Sequence, residues 1–169
     1  ASCGIAYKYE KVLEQSCGAV ALSGEYLNGL TDLQIRELFK NTFVILDGNS
    51  VEILFSRGLS DVIGAERYRV LHWEEGHYTH EQAERGRIYL GIEKCRTSAT
   101  VTCPAYVKID YKTPPTVYTR MYDSFEQEVG LGIVRGSRFL VLPFLCQGKQ
   151  HGLLSSMRVE ALKTALSEG

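Results

Sequence analysis

Long apolar runs are missing from this chain. No segment approaches the roughly 18 uninterrupted apolar residues needed to cross a bilayer as a helix, and the longest apolar stretch, Phe139 to Leu145, reads as core. An excess of one charge is missing too. The net charge is -1 over 169 residues, with acids and bases interspersed. That argues against duplex DNA as a partner, because a polyanion needs a basic face. The usual catalytic signatures are absent: there is no GxSxG elbow, no P-loop, no HExxH and no GxGxxG. Gly130-Leu131-Gly132 lacks the third glycine of that last motif. None of the five cysteines forms a CxxC pair, which speaks against a zinc ribbon or a thioredoxin-type dithiol. Internal repeats, low-complexity tracts and linkers are absent as well, so the expected organisation is one domain over residues 1–169. At that length about 70% of the unfolded surface can be buried.

The composition that remains is ordinary for a globular protein, with 44% apolar and 23% charged residues. Cysteine usage bears on the compartment. Cys95 and Cys103 bracket a short polar segment between two strand-like runs, which suits a cross-strand disulfide, and Cys3 with Cys17 offers a second pair. Paired cysteines imply a periplasmic or secreted setting; buried free thiols in a cytoplasmic protein are the plainer alternative. Ala1-Ser2-Cys3 matches the last residues of a bacterial lipoprotein signal, whose cysteine is lipidated after cleavage. A lipid anchor at Cys3 follows from that match, although Ala-Ser is equally common as a cloning remnant.

Periodicity predicts the elements. Ile5 to Cys17 has helical spacing with Gly18 as its stop. Leu30-Thr31-Asp32-Leu33-Gln34-Ile35 combines a capping box with a hydrophobic staple, and Leu33, Ile35 and Phe39 form the expected buried side of the helix it opens. Thr42 to Leu46 and Val51 to Phe55, joined by Asp47-Gly48-Asn49, predict a hairpin. Tyr68 to Trp73, Gly86 to Ile92, Tyr106 to Lys112, Val117 to Tyr122 and Phe139 to Leu145 predict further strands, with Pro143 at an end or edge. Leu153 to Leu166 predicts a closing helix with Val159, Leu162 and Leu166 as its stripe. Strands at short spacing with turns between them point to an α+β, β-rich fold, an antiparallel sheet curled into a barrel or sandwich with flanking terminal helices. No helix-sized segment separates the central strands, which disfavours a parallel sheet. If the sheet closes, Ile45, Ile53, Val70, Ile88, Val107 and Val141 fill or line its interior. The order of elements loosely resembles that of small exported proteins with lipocalin-like barrels; the resemblance rests on no motif and transfers no residue.

Two constellations carry the chemistry. His72 to Glu81 holds three of the four histidines. His72, His77, His80 and Glu81 are the residue types that bind a divalent metal such as zinc, which needs three or four ligands around one point. On a hairpin His72 and His77 approach each other, whereas His80 joins them only if residues 79–85 are helical. The same residues beside Glu74 or Glu75 form a His–carboxylate dyad suited to acid–base catalysis. Cys146 and His151 are a further Cys–His couple, with no sign that they touch. The second constellation is Tyr106, Lys108, Tyr118, Arg120 and Tyr122, which alternation places on one aromatic, basic sheet face. Such a face stacks planar or sugar-like ligands or meets a protein partner; it is equally an ordinary solvent face of a sheet. The leading expectation is a non-enzymatic, extracytoplasmic binding or structural domain with a small-molecule or protein partner. The alternatives are a metal-dependent or acid–base enzyme at His72–Glu81 and a lipid-anchored assembly factor. Thiol titration of the denatured, unreduced protein should find about one free thiol of the five if two disulfides form; five free thiols would remove the argument for export.

Overall fold

The computed structural model describes residues 19–22, 24–83, 98–100, 105–145 and 156–167. The expected 5–17 helix, the 86–92 strand, His151 and all five cysteines lie outside the described residues, and with them the disulfide candidates Cys95–Cys103 and Cys3–Cys17. In chain order the elements are β1 (Ala19–Leu22), α1 (Gly24–Asn28), α2 (Asp32–Asn41), β2 (Phe43–Asp47) and α3 (Gly48–Ser56). A 3-10 turn (Ser60–Ile63), β3 (Ala65–His72), β4 (His80–Ala83), β5 (Ser98–Thr100) and β6 (Ala105–Tyr111) follow. The chain continues through β7 (Thr116–Val117), β8 (Thr119–Tyr122), β9 (Glu128–Leu131), β10 (Val134–Arg135), β11 (Phe139–Leu142), β12 (Phe144–Leu145) and α4 (Ser156–Ser167). The fold is α+β and rich in strand, and none of its helices is long and apolar enough to cross a membrane among the described residues.

The strands form three sheets. The first is mixed, in the order β1-β2-β11-β10-β7, with β1, β2 and β11 parallel. The second is β12-β6-β3 and the third β5-β4-β8-β9, both antiparallel. Among the described residues no sheet closes on itself. The parallel strands depart from the all-antiparallel expectation. The reason is visible at β1 and β2: the helices α1 and α2 between them supply the crossover that a parallel pair requires.

Both faces of the first sheet are covered, which is why β2 reads as continuously apolar. Val44 and Leu46 point into one cluster with Ile35 and Phe39 of α2, Val51 and Leu54 of α3, and Val107 and Ile109 of β6. Ile45, on the opposite face, joins Leu140, Tyr106, Tyr118, Met121 and Leu162 of α4 in a second cluster. Of the interior residues expected from the sequence, Ile45, Val107 and Val141 are buried in these clusters, Ile53 and Val70 are half-buried, and Ile88 lies outside the described residues.

The capping box forms as expected. The Gln34 amide donates to Thr31 Oγ1 at 3.2 Å, and the Thr31 amide donates to Gln34 Oε1 at 2.9 Å. Leu33 is 69% exposed rather than buried, because it stands about 200° around the helix from Ile35. The expected 42–55 hairpin is replaced by a strand and a helix. Asp47 is the N-cap of α3, its carboxylate accepting from the Ser50 amide at 2.8 Å. Gly48 is needed for space: a Cβ there would lie 2.8 Å from the Phe144 carbonyl oxygen. Asp-Gly here serves a helix start instead of a tight turn. Pro143 separates β11 from β12, so the apolar 139–145 run leaves the first sheet and enters the second. Replacing Asp47 with Ala should cost about 1 kcal/mol in chemical denaturation, with Asp47→Asn retaining most of the stability. Equal midpoints for Asp47→Ala and the unaltered protein would show that the cap does not matter.

Candidate functional site

The histidine segment is a tight turn. Chain reversal after β3 runs through Trp73 to Gly76, whose φ of 73° suits glycine, and the Gly76 amide donates to the Trp73 carbonyl at 3.0 Å. His72 and His77 approach, with ring centroids 6.4 Å apart, and the His72 backbone amide donates to His77 Nδ1 at 3.0 Å. His77 Nε2 lies 3.2 Å from a Glu75 carboxylate oxygen.

Residues 80–83 are strand, not helix, so His80 does not join that pair. Its ring stacks on Tyr122 at 5.7 Å; Nδ1 lies 2.9 Å from Thr79 Oγ1, and Nε2 lies 3.2 Å from Gln82 Nε2 and 3.4 Å from Glu126. Glu81 alternates to the opposite face of β4 and is fully buried. Four neighbours in sequence are thus a surface pair, a clamped ring and an interior carboxylate. Among the described residues no group of three or more His, Cys, Asp or Glu side chains forms a metal-holding cluster.

Glu81 belongs to a buried polar relay. The Thr119 hydroxyl donates to Glu81 Oε2 at 2.8 Å and accepts from the Ile133 amide at 2.7 Å. Gly132 leaves the room for it, since a Cβ there would lie 2.2 Å from Thr119 Oγ1 and 2.9 Å from Glu81 Oε2. Gly130 does the same for Tyr106, whose hydroxyl oxygen lies 2.0 Å from where a Gly130 Cβ would be. Gly130-Leu131-Gly132 is therefore a close-approach device, with no phosphate loop around it. The Tyr106 hydroxyl itself is buried and has no hydrogen-bond partner among the described residues. Burial, with smaller contributions from Tyr111, Glu81, Glu128 and Tyr78, pushes its pKa far up, so it stays a protonated donor.

The expected aromatic, basic face is not assembled at the surface. Tyr106, Tyr118 and Tyr122 are all buried. Two physical reasons apply. The β6 strand is covered on both sides, so Tyr106 enters one core cluster and Val107 the other. The alternation from Val117 to Tyr122 is interrupted at Tyr118, where the chain passes from the first sheet to the third, and the Tyr118 and Thr119 amides both donate to the Ile133 carbonyl.

Lys108 and Arg120 do come together, across a groove of about 460 Å³ between β6 and the β8–β9 hairpin. Pro114, Pro115, Val117 and Leu131 give it an apolar wall, and Asp110, Tyr111 and Glu128 complete its polar side. Arg120 pairs with Glu128 at 2.7 Å, and Asp110 with Arg67 at 2.9 Å. Lys108, half-buried, has no ion pair or hydrogen bond from its ammonium among the described residues. On the other side of Pro114-Pro115 lies a cleft of about 530 Å³ that Tyr118 and Arg135 line. There Arg135 already donates to the Ala165 carbonyl and covers the Phe43 ring at 4.5 Å. Sequence reasoning found Lys108 and Arg120 and missed Tyr111, Val117, Glu128 and Leu131, which no periodicity links; Gly130 of β9 and Gly132 just after it were the available signal for a close approach.

No family model matches the chain, and neither a curated protein nor a solved structure does. Replacing Thr119 with the isosteric Val should destabilise the protein by at least about 2 kcal/mol, because a buried amide and a buried carboxylate lose a partner together. Thr119→Ser should retain most of the stability. A Thr119→Val protein that melts with the unaltered one would show that the relay carries no weight.

Proposed function

We propose that the chain is a non-enzymatic binding domain that takes a small molecule in the groove between β6 and the β8–β9 hairpin. The observation that carries this reading is Lys108, a cation without a partner among the described residues, set in a groove whose other charges are paired and whose wall is apolar. Ligand pockets have this make-up: apolar walls with few, directional polar groups, at volumes of roughly 300–1,000 Å³. The reading treats the packed sheets as an open sandwich rather than a lipocalin-like barrel, supported by the core cluster that joins Ile45 and Leu140 of the first sheet to Met121 of the third. It places the domain in the periplasm or outside the cell, which the five cysteines favour.

A second reading is an acid–base enzyme at His80. It is favoured by Glu126, whose φ of 60° is the sole positive value for a non-glycine among the described residues and whose carboxylate lies 3.4 Å from His80 Nε2. Backbone strain of this kind gathers at functional sites. Titration of isotopically labelled protein with a fragment library separates the two. Amide shifts from bound fragments should concentrate at Lys108, Val117, Gly130 and Leu131. Shifts confined to Thr79–Gln82 and Glu126 would favour the enzyme reading, and an absence of shifts at the groove would sink the binding one.

A further inference from the structure

We infer that copies of this chain associate head to tail, the Phe125 tip of one seating in a groove beside α2 of the next. The contact uses none of the residues that line the β6 groove. The two most exposed large apolar side chains among the described residues are Phe125, at 81%, and Leu33, at 69%. They lie on different elements, Phe125 in the turn between β8 and β9 and Leu33 on α2. Their surroundings are opposite in shape and in charge.

Phe125 is a knob with an acidic rim. The segment from Met121 to Val134 holds three acids and no lysine or arginine. Arg120 neutralises Glu128, which leaves Asp123 and Glu126 flanking Phe125. The uncharged Gln82 amide holds Glu126, with His80 beside it, so with histidine neutral the tip carries two negative charges. Asp123 Oδ1 accepts from the Phe125 amide at 2.9 Å, so the ring stands on a fixed turn and little loop ordering is left for binding.

The groove beside α2 is a socket with a basic rim. Its volume is about 630 Å³, and Leu33, Phe39 and Val62 give it an apolar lining. Cations outnumber anions around it: Arg36, Lys40 and Arg138 against Glu37 and Asp61, the last paired with Arg36 at 2.7 Å. Arg138 donates to the Phe39 and Lys40 carbonyls at the end of α2, which fixes its guanidinium with no carboxylate opposite. The Lys40 ammonium has no ion pair or hydrogen bond among the described residues. An aromatic ring rimmed by acids thus meets an apolar hollow rimmed by cations, the complementarity that selects partners at interfaces. The exposure of Phe125 shows that its own groove does not hold it. A second copy supplies both halves. Because the two patches differ, the contact is heterologous, and each pair keeps one free tip and one free groove.

One aromatic side chain buries roughly 150–250 Å², far less than a standard interface, so the association is weak and concentration-dependent. Sedimentation velocity up to about 1 mM protein tests it, since even a millimolar contact is well populated there. The sedimentation coefficient of the unaltered chain should rise with concentration and pass beyond that of a dimer. Phe125→Ser and Leu33→Asp should each stay monomeric over the same range. Both side chains are exposed, so each variant should keep the denaturation midpoint of the unaltered protein. Mixed in equal amounts, the two variants should form a one-to-one pair and nothing larger, because Phe125→Ser keeps its groove and Leu33→Asp keeps its tip. An unaltered chain that is monomeric at every concentration overturns the inference. So does association that survives either substitution, or a mixture that stays monomeric while the unaltered chain associates.

Discussion

The missing side chains of Gly130 and Gly132 govern how this molecule is put together. With no Cβ at either position, β9 and the residue after it come close enough for the Tyr106 hydroxyl to sit against Gly130 and for Thr119 and Glu81 to sit against Gly132. That approach brings the third sheet onto β6 of the second, so the groove exists because β9 is bare where it meets these neighbours. A larger residue would displace the side chain of Tyr106 at Gly130, or those of Thr119 and Glu81 at Gly132, all of them packed in the interior. Gly132 thus serves the interior packing, and Gly130 both that packing and the wall of the groove.

The polar groups enclosed by that approach are not equivalent. Thr119 is connected on both sides, to the Ile133 amide and to the Glu81 carboxylate, so desolvation of all three is offset by hydrogen bonds strengthened in a low-dielectric interior. Tyr106 receives no such compensation among the described residues. Its ring is well used, packing edge-on against Tyr78 at 5.5 Å and near Phe144 at 6.4 Å, and a phenylalanine would keep those contacts. Among the described residues nothing offsets the desolvation of its hydroxyl.

Legibility from sequence followed the range of the interactions involved. The cap of α2 was readable because every participant lies between Leu30 and Ile35. Asp47-Gly48 was misread because its choice between a turn and a helix cap is decided by Phe144, almost a hundred residues away, whose carbonyl presses on Gly48. Val107, expected in the interior, does lie in the core, with Ile109 beside it on the same face of β6. Nothing local announced that a second sheet would cover the other face and take Tyr106 inside. The tyrosine face failed at Tyr118 for a related reason: a change of sheet within one extended stretch leaves the residue pattern unbroken while the geometry turns. Lys108 and Arg120 survived as site residues because charge keeps both near solvent whichever sheet they belong to.

The histidine segment also finds its place through the groove. The turn between β8 and β9 is held by Asp123, whose Oδ1 accepts from the Phe125 and Gln127 amides at 2.9 and 3.0 Å. Glu126 within it adopts a left-handed conformation that costs a residue with a side chain about 1 kcal/mol or more. Compensation comes from β4: Gln82 donates to the Glu126 carboxylate at 3.0 Å, and His80 stands beside the other oxygen at 3.4 Å while stacking on Tyr122 of β8. The β8–β9 pairing carries a register shift between Met121 and Tyr122, next to this turn. A clamp there fixes the register in which Glu128 reaches Arg120 and Gly130 reaches Tyr106. His80 thus acts on the groove by holding the hairpin that forms its wall, from a position where its own ring is largely enclosed.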